Sequence, residues 1–188
     1  CGGSLSGAQA IGLAMQTLRE GRSGGVLAGG ATSVEPEFLD ALCRVGRPDG
    51  GQPRCGACLL LLEPQVSAGE ADEMVELIGY AEGFGGDEIR DAVQACLEDA
   101  GLFPEQISSV RVASMQDSRV LREALRRMGA KAPIVRSPAS NLYSASFPAA
   151  VAEAATQAAN GAPGPVLIVG VDCLAGASAA LVRGGGRR

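Results

Sequence analysis

From residue 87 to residue 183 the chain alternates helix-period apolar stripes with short runs that are apolar throughout, which restricts it to a sheet buried on both faces by helices. Ile89, Ala92, Val93, Cys96 and Leu97 mark one helical face that Gly101 closes, and Asp87 stands where an N-cap belongs. ISSVRVAS then reads as a strand. Val120, Leu121, Ala124, Leu125 and Met128 define a second helix ending at Gly129, followed by the strand KAPIVRS. Pro148 opens a third helix with Val151, Ala154, Ala155 and Ala158, ended by Asn160 and Gly161. PVLIVGVD and ASAALVRGG form a closing strand pair, and residues 184–188 are expected as a frayed tail.

The earlier part follows the same logic less regularly. After CGGSLSGAQAIGLA, the positions of Ile11, Ala14, Met15 and Leu18 predict a helix to Glu20 and Gly21, and VLAGGAT predicts a short buried strand. Residues 33–55, with Pro36 and Pro48, read as a long excursion. Cys58 to Leu62 predict a second buried strand, and EMVELIGYAEGF a strand crossing a sheet. A length of 188 residues suits one α/β domain, and 46% hydrophobic residues with only 3% aromatics require a core of small aliphatic side chains packed around 27 glycines.

The formal charge of −5 provides no overall basic field for a phosphate backbone, so nucleic acid is not an expected partner. No apolar stretch approaches the roughly 20 residues that span a bilayer, and no signal-peptide pattern is present, so the expected location is the cytoplasm. Cysteines 1, 43, 55, 58, 96 and 173 read as thiols. RCGAC matches a CxxC half-site, but the chain has no histidine and no second pair at metal spacing, so neither a metal nor a cofactor is expected.

Several stretches, in order, resemble the β-ketoacyl synthases of the thiolase fold. SLSGAQAIGLAMQTLREGRSGGVLAGGATSVEP is similar to the nucleophile elbow with its helix and following strand, CGACLLLLEP to a glycine-led strand ending in glutamate, and EIRDAVQACLEDAGLFPEQISSVRVAS to the helix, connection and strand that carry the first catalytic histidine. The resemblance covers nearly all of residues 1–188 and implies the layered αβαβα thiolase fold, of which this is the later portion, completed by a separate N-terminal piece.

In that family a cysteine at a helix start is acylated while two histidines polarise the thioester carbonyl and assist decarboxylation. Matching the elbow through Gly7, Ala10 and Ile11 places Ser4 at the nucleophile position, and the histidine positions fall near Ala113 and Asn141. All three are altered together. This pattern resembles the chain-length factor, the non-catalytic subunit that pairs with an active ketosynthase in type II polyketide systems. NLYSASFPAAVAEAA and the LVRGGG ending are similar to the same branch. That branch typically carries glutamine where Ser4 stands, so a decarboxylase-like role does not transfer.

The resemblance implies a subunit that shapes its partner's acyl tunnel, with Met15, Phe38 and Leu39 as tunnel candidates, in polyketide or polyene biosynthesis. An acyl carrier protein is then expected to dock mainly on the ketosynthase, because carriers are acidic and so is this chain. Two other readings stay open: a divergent acyltransferase or condensing enzyme using Cys1, Ser4 or Cys173 as nucleophile, and a purely structural ketosynthase fragment. Cys1 also has the chemistry for self-cleavage, since its thiolate can attack the preceding carbonyl beside flexible Gly2 and Gly3; the favoured alternative for a chain starting there is an external protease or a chosen fragment boundary.

Overall fold

The computed structural model describes residues 5–37, 54–65, 75–114, 118–172 and 176–185. The expected helices form as α1 (Ser6–Arg19), α2 (Glu88–Ala100), α3 (Ser118–Arg127) and α4 (Ser146–Ala159). The strands are β1 (Val26–Thr32), β2 (Gly56–Leu62), β3 (Val75–Phe84), β4 (Ser109–Val112), β5 (Ile134–Arg136), β6 (Val166–Asp172) and β7 (Gly176–Gly184). Five of them make a mixed sheet in the order β3-β7-β6-β4-β5, in which β7 runs antiparallel to both neighbours while β4 lies parallel to β5 and β6.

Both faces of that sheet are covered. Ile89, Val93 and Leu97 of α2 and Leu121 and Leu125 of α3 meet Val110, Val112, Leu167, Val169 and Leu181 on one face. Ala8 and Ile11 of α1 and Ala150, Val151 and Ala154 of α4 meet Val166, Ile168, Ala180 and Val182 on the other. Every residue of β6 is therefore buried, which is why its sequence shows no alternation.

Beyond α1 and α4 lies a second, two-stranded sheet, β1 paired antiparallel with β2 from Val26 opposite Leu62 to Thr32 opposite Gly56. The layers thus run helix, sheet, helix, sheet, four of the five in the αβαβα arrangement. Here the structure corrects the expectation of two buried strands. The inner side chains Val26, Ala28, Leu60 and Leu62 join the α1–α4 core, but Leu27, Leu59 and Leu61 on the outer face are 62%, 60% and 65% exposed.

Three smaller expectations also change. Asp87 caps α2 without a side-chain hydrogen bond, and only its carbonyl accepts the Asp91 N–H, at 3.0 Å. Val120 is 65% exposed, because it lies off the stripe formed by Leu121, Ala124, Leu125 and Met128. Gly184 is still paired, opposite Val75, so the strand continues into the expected tail; residues 186–188 lie outside the described residues.

Cys55, Cys58 and Cys96 are free thiols, and Cys1, Cys43 and Cys173 lie outside the described residues. Burial, with a smaller push from Asp99, raises the Cys96 thiol from its ordinary 9.0 to about 12. Cys58 is also raised by burial. Because the folded state holds the Cys96 proton longer than the unfolded chain does, its contribution to stability is complete below pH 9 and lost as pH rises towards about 12. Among the described thiols, native protein titrated with a thiol reagent at neutral pH is expected to label exposed Cys55 first and Cys96 only on unfolding. Mass mapping of the labelled peptides checks this, and early modification of Cys96 would contradict the assignment.

Candidate functional site

The start of α1, the ends of β4 and β1, and the segment after β5 converge on one place. Leu5, the cap residue of α1, is buried, and its side chain lies against Gly170 of β6 and Gly176 of β7. Ala113, directly after β4, is 5% exposed, packs in the same cluster as Ala8, Ile11 and Phe147, and donates its N–H to the Val169 carbonyl at 2.8 Å. The Ser137 N–H donates to the Val112 carbonyl at 2.9 Å, which starts the following segment beside Ala113.

That segment is pinned at both ends. At its start, Ser137 Oγ donates to Glu153 Oε1 (2.9 Å) and accepts the Ala139 N–H (3.1 Å). Glu153 also receives Arg111 Nη1 at 3.0 Å, and Arg111 Nη2 reaches Gln157 Oε1 at 3.0 Å, so β4, α4 and the segment share one polar bridge. Its charged members are only partly exposed, at 18% for Arg111 and 27% for Glu153, so solvent screens this pair less than the surface pairs.

At its end a hydroxyl clasp holds it to β1. Ser144 Oγ donates to the Ala31 carbonyl (2.7 Å), while Thr32 Oγ1 accepts the Ser144 N–H (3.1 Å) and donates to the Leu142 carbonyl (2.9 Å). Between them Tyr143 sits at φ 52°, in the left-handed region that costs a non-glycine residue on the order of 1 kcal/mol or more. The Ser144 carbonyl is wedged between α1 and β1 at Gly7 and Gly30, where a Cβ on either would overlap its oxygen. The Arg54 N–H completes the frame by donating to the Asn141 carbonyl at 2.9 Å.

The expected site positions are therefore gathered in part. Ala113 and the segment bearing half-buried Asn141 come together beside the N-terminal end of α1. Cys1 and Ser4, and the tunnel candidates Phe38 and Leu39, lie outside the described residues. Met15 is buried on α1, 7% exposed. Thr32 and Ser144 carried no local signal, being separated by 112 residues in sequence. Among the described residues no group of three His, Cys, Asp or Glu side chains is placed to hold a metal ion.

A third cluster flanks α1. The Tyr80 ring packs where a side chain on Gly12 would stand, and its hydroxyl donates to Glu82 Oε1 at 2.6 Å; burial raises the phenol well above its ordinary range, so it stays a donor. The Tyr80 N–H donates to Asp99 Oδ2 (3.2 Å), and Asp99 pairs through both oxygens with Arg19 at the end of α1, at 3.0 and 2.8 Å.

No family model matches the sequence. Comparison with curated proteins likewise finds no match. Solved structures do match, over nearly the whole chain. The ishigamide ketosynthase/chain length factor aligns with 98% of this chain and 56% of its own, at 22% identity and a TM-score of 0.73. A β-ketoacyl synthase from Burkholderia phymatum aligns over 98% of this chain and 60% of its own, at 19% identity and a TM-score of 0.78. A type II PKS acyl-carrier protein in complex with its ketosynthase bound to the hexaketide aligns over 98% and 62%, at 15% identity and a TM-score of 0.82. The chain has the thiolase-like fold of the ketosynthases and spans less than two thirds of the length of these structures. No helix among the described residues is long and apolar enough to cross a membrane.

Proposed function

We propose that this chain is the later part of a non-catalytic, chain-length-factor-like subunit that pairs with an active ketosynthase and shapes its acyl tunnel in type II polyketide or polyene biosynthesis. The observation that carries the reading is Ala113. The resemblance puts the first catalytic histidine of a condensing enzyme near Ala113, and here Ala113 offers a methyl group inside an apolar cluster with Ala8, Ile11 and Phe147. A methyl group neither polarises a thioester carbonyl nor moves a proton. No histidine elsewhere in the chain can substitute, and Asn141 can donate or accept a hydrogen bond but cannot shuttle a proton.

The retained frame supports a binding role. β1, the end of β4 and the segment after β5 are held beside the start of α1 by specific hydrogen bonds. The exposed leucines on the outer face of the small sheet mark where the remainder of a ketosynthase-length fold packs, and the acyl carrier protein of the same assembly delivers the chain being extended. Met15, Phe38 and Leu39 remain the proposed tunnel residues.

The test incubates the chain, together with a separately expressed N-terminal piece of the ketosynthase-length fold, with radiolabelled acyl and malonyl carrier substrates, with and without a ketosynthase. The expected result is no β-ketoacyl product and no label on this chain alone, with product and co-elution once the ketosynthase is added. Label retained on this chain alone would overturn the proposal in favour of a nucleophile at Cys1 or Ser4.

A further inference from the structure

The segment between β5 and α4, residues 137–145, is strung between the two sheets. Its start belongs to the large sheet and α4, because the Ser137 N–H donates to the Val112 carbonyl and the Ser137 hydroxyl enters the Arg111–Glu153 bridge. Its far end belongs to both strands of the small sheet. Ala31 and Thr32 of β1 hold Ser144 and Leu142 through the hydroxyl clasp. On the β2 side the Arg54 N–H holds the Asn141 carbonyl, and a Cβ on Gly56 would lie 2.8 Å from the Leu142 side chain.

Internal hydrogen bonds give the segment a shape of its own. The Ser140 N–H donates to the Ser137 carbonyl, the Leu142 N–H to the Ala139 carbonyl and the Ala145 N–H to the Leu142 carbonyl, each at 3.0 Å. Consecutive turns linked in this way open together more readily than one residue at a time. Tyr143 departs from this relaxed geometry. Among the described residues it is the single non-glycine at positive φ, and it lies between Leu142 and Ser144, the two residues whose backbone groups the Thr32 hydroxyl engages. The strain and the hydrogen bonds that hold it thus meet at one point. A torsion of this kind persists only while its surroundings over-determine it, and its cost is comparable to the net gain from one or two hydrogen bonds.

We propose that this segment is a two-position strap, latched over the first turn of α1 by Thr32 and spring-loaded at Tyr143. In the latched position the Ser144 carbonyl fills the cleft between Gly7 and Gly30, and Gly7 is buried beneath it. On release Tyr143 turns to an ordinary negative φ and the carbonyl leaves the cleft, which uncovers Gly7 at the start of α1. The segment keeps its anchor at Ser137 and swings from there. This inference stands on the contacts of the strap and does not depend on pairing with a ketosynthase.

The test is residue-resolved amide exchange on the full chain by NMR, comparing wild type, Thr32→Val, Tyr143→Gly and the double variant T32V/Y143G. Thr156→Val is the control, since it loses a comparable hydroxyl bond, to the Ala152 carbonyl, on exposed α4. Circular dichroism confirms folding of each. Thr32→Val is expected to speed exchange at Ser140, Leu142 and Ala145 together by about tenfold, although the hydrogen bonds of these amides are internal to the segment. Tyr143→Gly is expected to slow the same amides about fivefold, and the double variant to return close to wild type. A glycine ordinarily loosens a chain, so slower exchange is the signature of released strain. Thr156→Val is expected to change these amides less than about twofold. Acceleration confined to Ser144, unequal factors at the amides of Ser140, Leu142 and Ala145, or unchanged or faster exchange in Tyr143→Gly would overturn the proposal. If Thr32→Val does not fold, the direction of the Tyr143→Gly effect decides alone.

Discussion

Gly7→Ala is expected to unseat the segment that carries Asn141 and to destabilise the domain by about 3 kcal/mol, the upper end of ordinary overpacking. The added Cβ would overlap the Ser144 carbonyl oxygen and press on Pro148, whose Cγ would lie 2.8 Å away. A backbone carbonyl held by neighbouring hydrogen bonds cannot yield as a flexible side-chain end does. Gly30→Ala would meet the same oxygen from the opposite side, so either substitution pushes on the Thr32–Ser144 clasp. Thermal denaturation measures the loss, and hydrogen exchange over residues 139–146 locates it. Gly164→Ala is the control, since its nearest neighbour would be Ser108 Cβ at 3.4 Å. Equal melting temperatures for Gly7→Ala and Gly164→Ala would refute the wedge.

The second large effect concerns the outer face of the small sheet. Replacing Leu27, Leu59 and Leu61 together by serine is expected to keep the isolated chain in solution while abolishing its association with a separately expressed N-terminal piece of the ketosynthase-length fold. Each leucine buried on association contributes about 1.5–3 kcal/mol, so the set is worth roughly 6 kcal/mol. Light scattering of the chain alone and co-purification with the piece give opposite readouts for the two halves of this expectation. A serine variant that still co-purifies as wild type does would show that this face is not where the piece packs.

The helices were legible because each buries one stripe: Ile11, Ala14 and Met15, or Ile89, Val93 and Leu97, state the period directly. The order of the sheet was not, since an all-apolar strand such as VLIVGVD reads the same wherever it lies between two helical layers. VLAGGAT and GACLLLL were misjudged for a related reason. A run without alternation implies burial on both faces, and within the described residues only the inner face of these strands is covered. The assignment of catalytic positions to Ser4 and to the neighbourhoods of Ala113 and Asn141 comes from the resemblance alone, since no local pattern marks them. The hydroxyl clasp and the polar bridge from Arg111 to Ser137 were not, because each joins residues far apart in sequence through contacts that no local pattern announces.

The two sheets end in opposite ways. On the large sheet, β3 is interrupted by an irregular register between Leu77 and Gly79, and the Tyr80 amide is taken by the Asp99 carboxylate. At its other margin β5 spans only Ile134–Arg136, is preceded by Pro133 and closes on a charged residue. The occupied Tyr80 amide interrupts one margin and the shortness of β5 limits the other. β1 and β2 each run seven residues in unbroken register, without a charge or a proline. Among the described residues the small sheet thereby keeps two such margins, one along β1 and one along β2, and either can take an added strand.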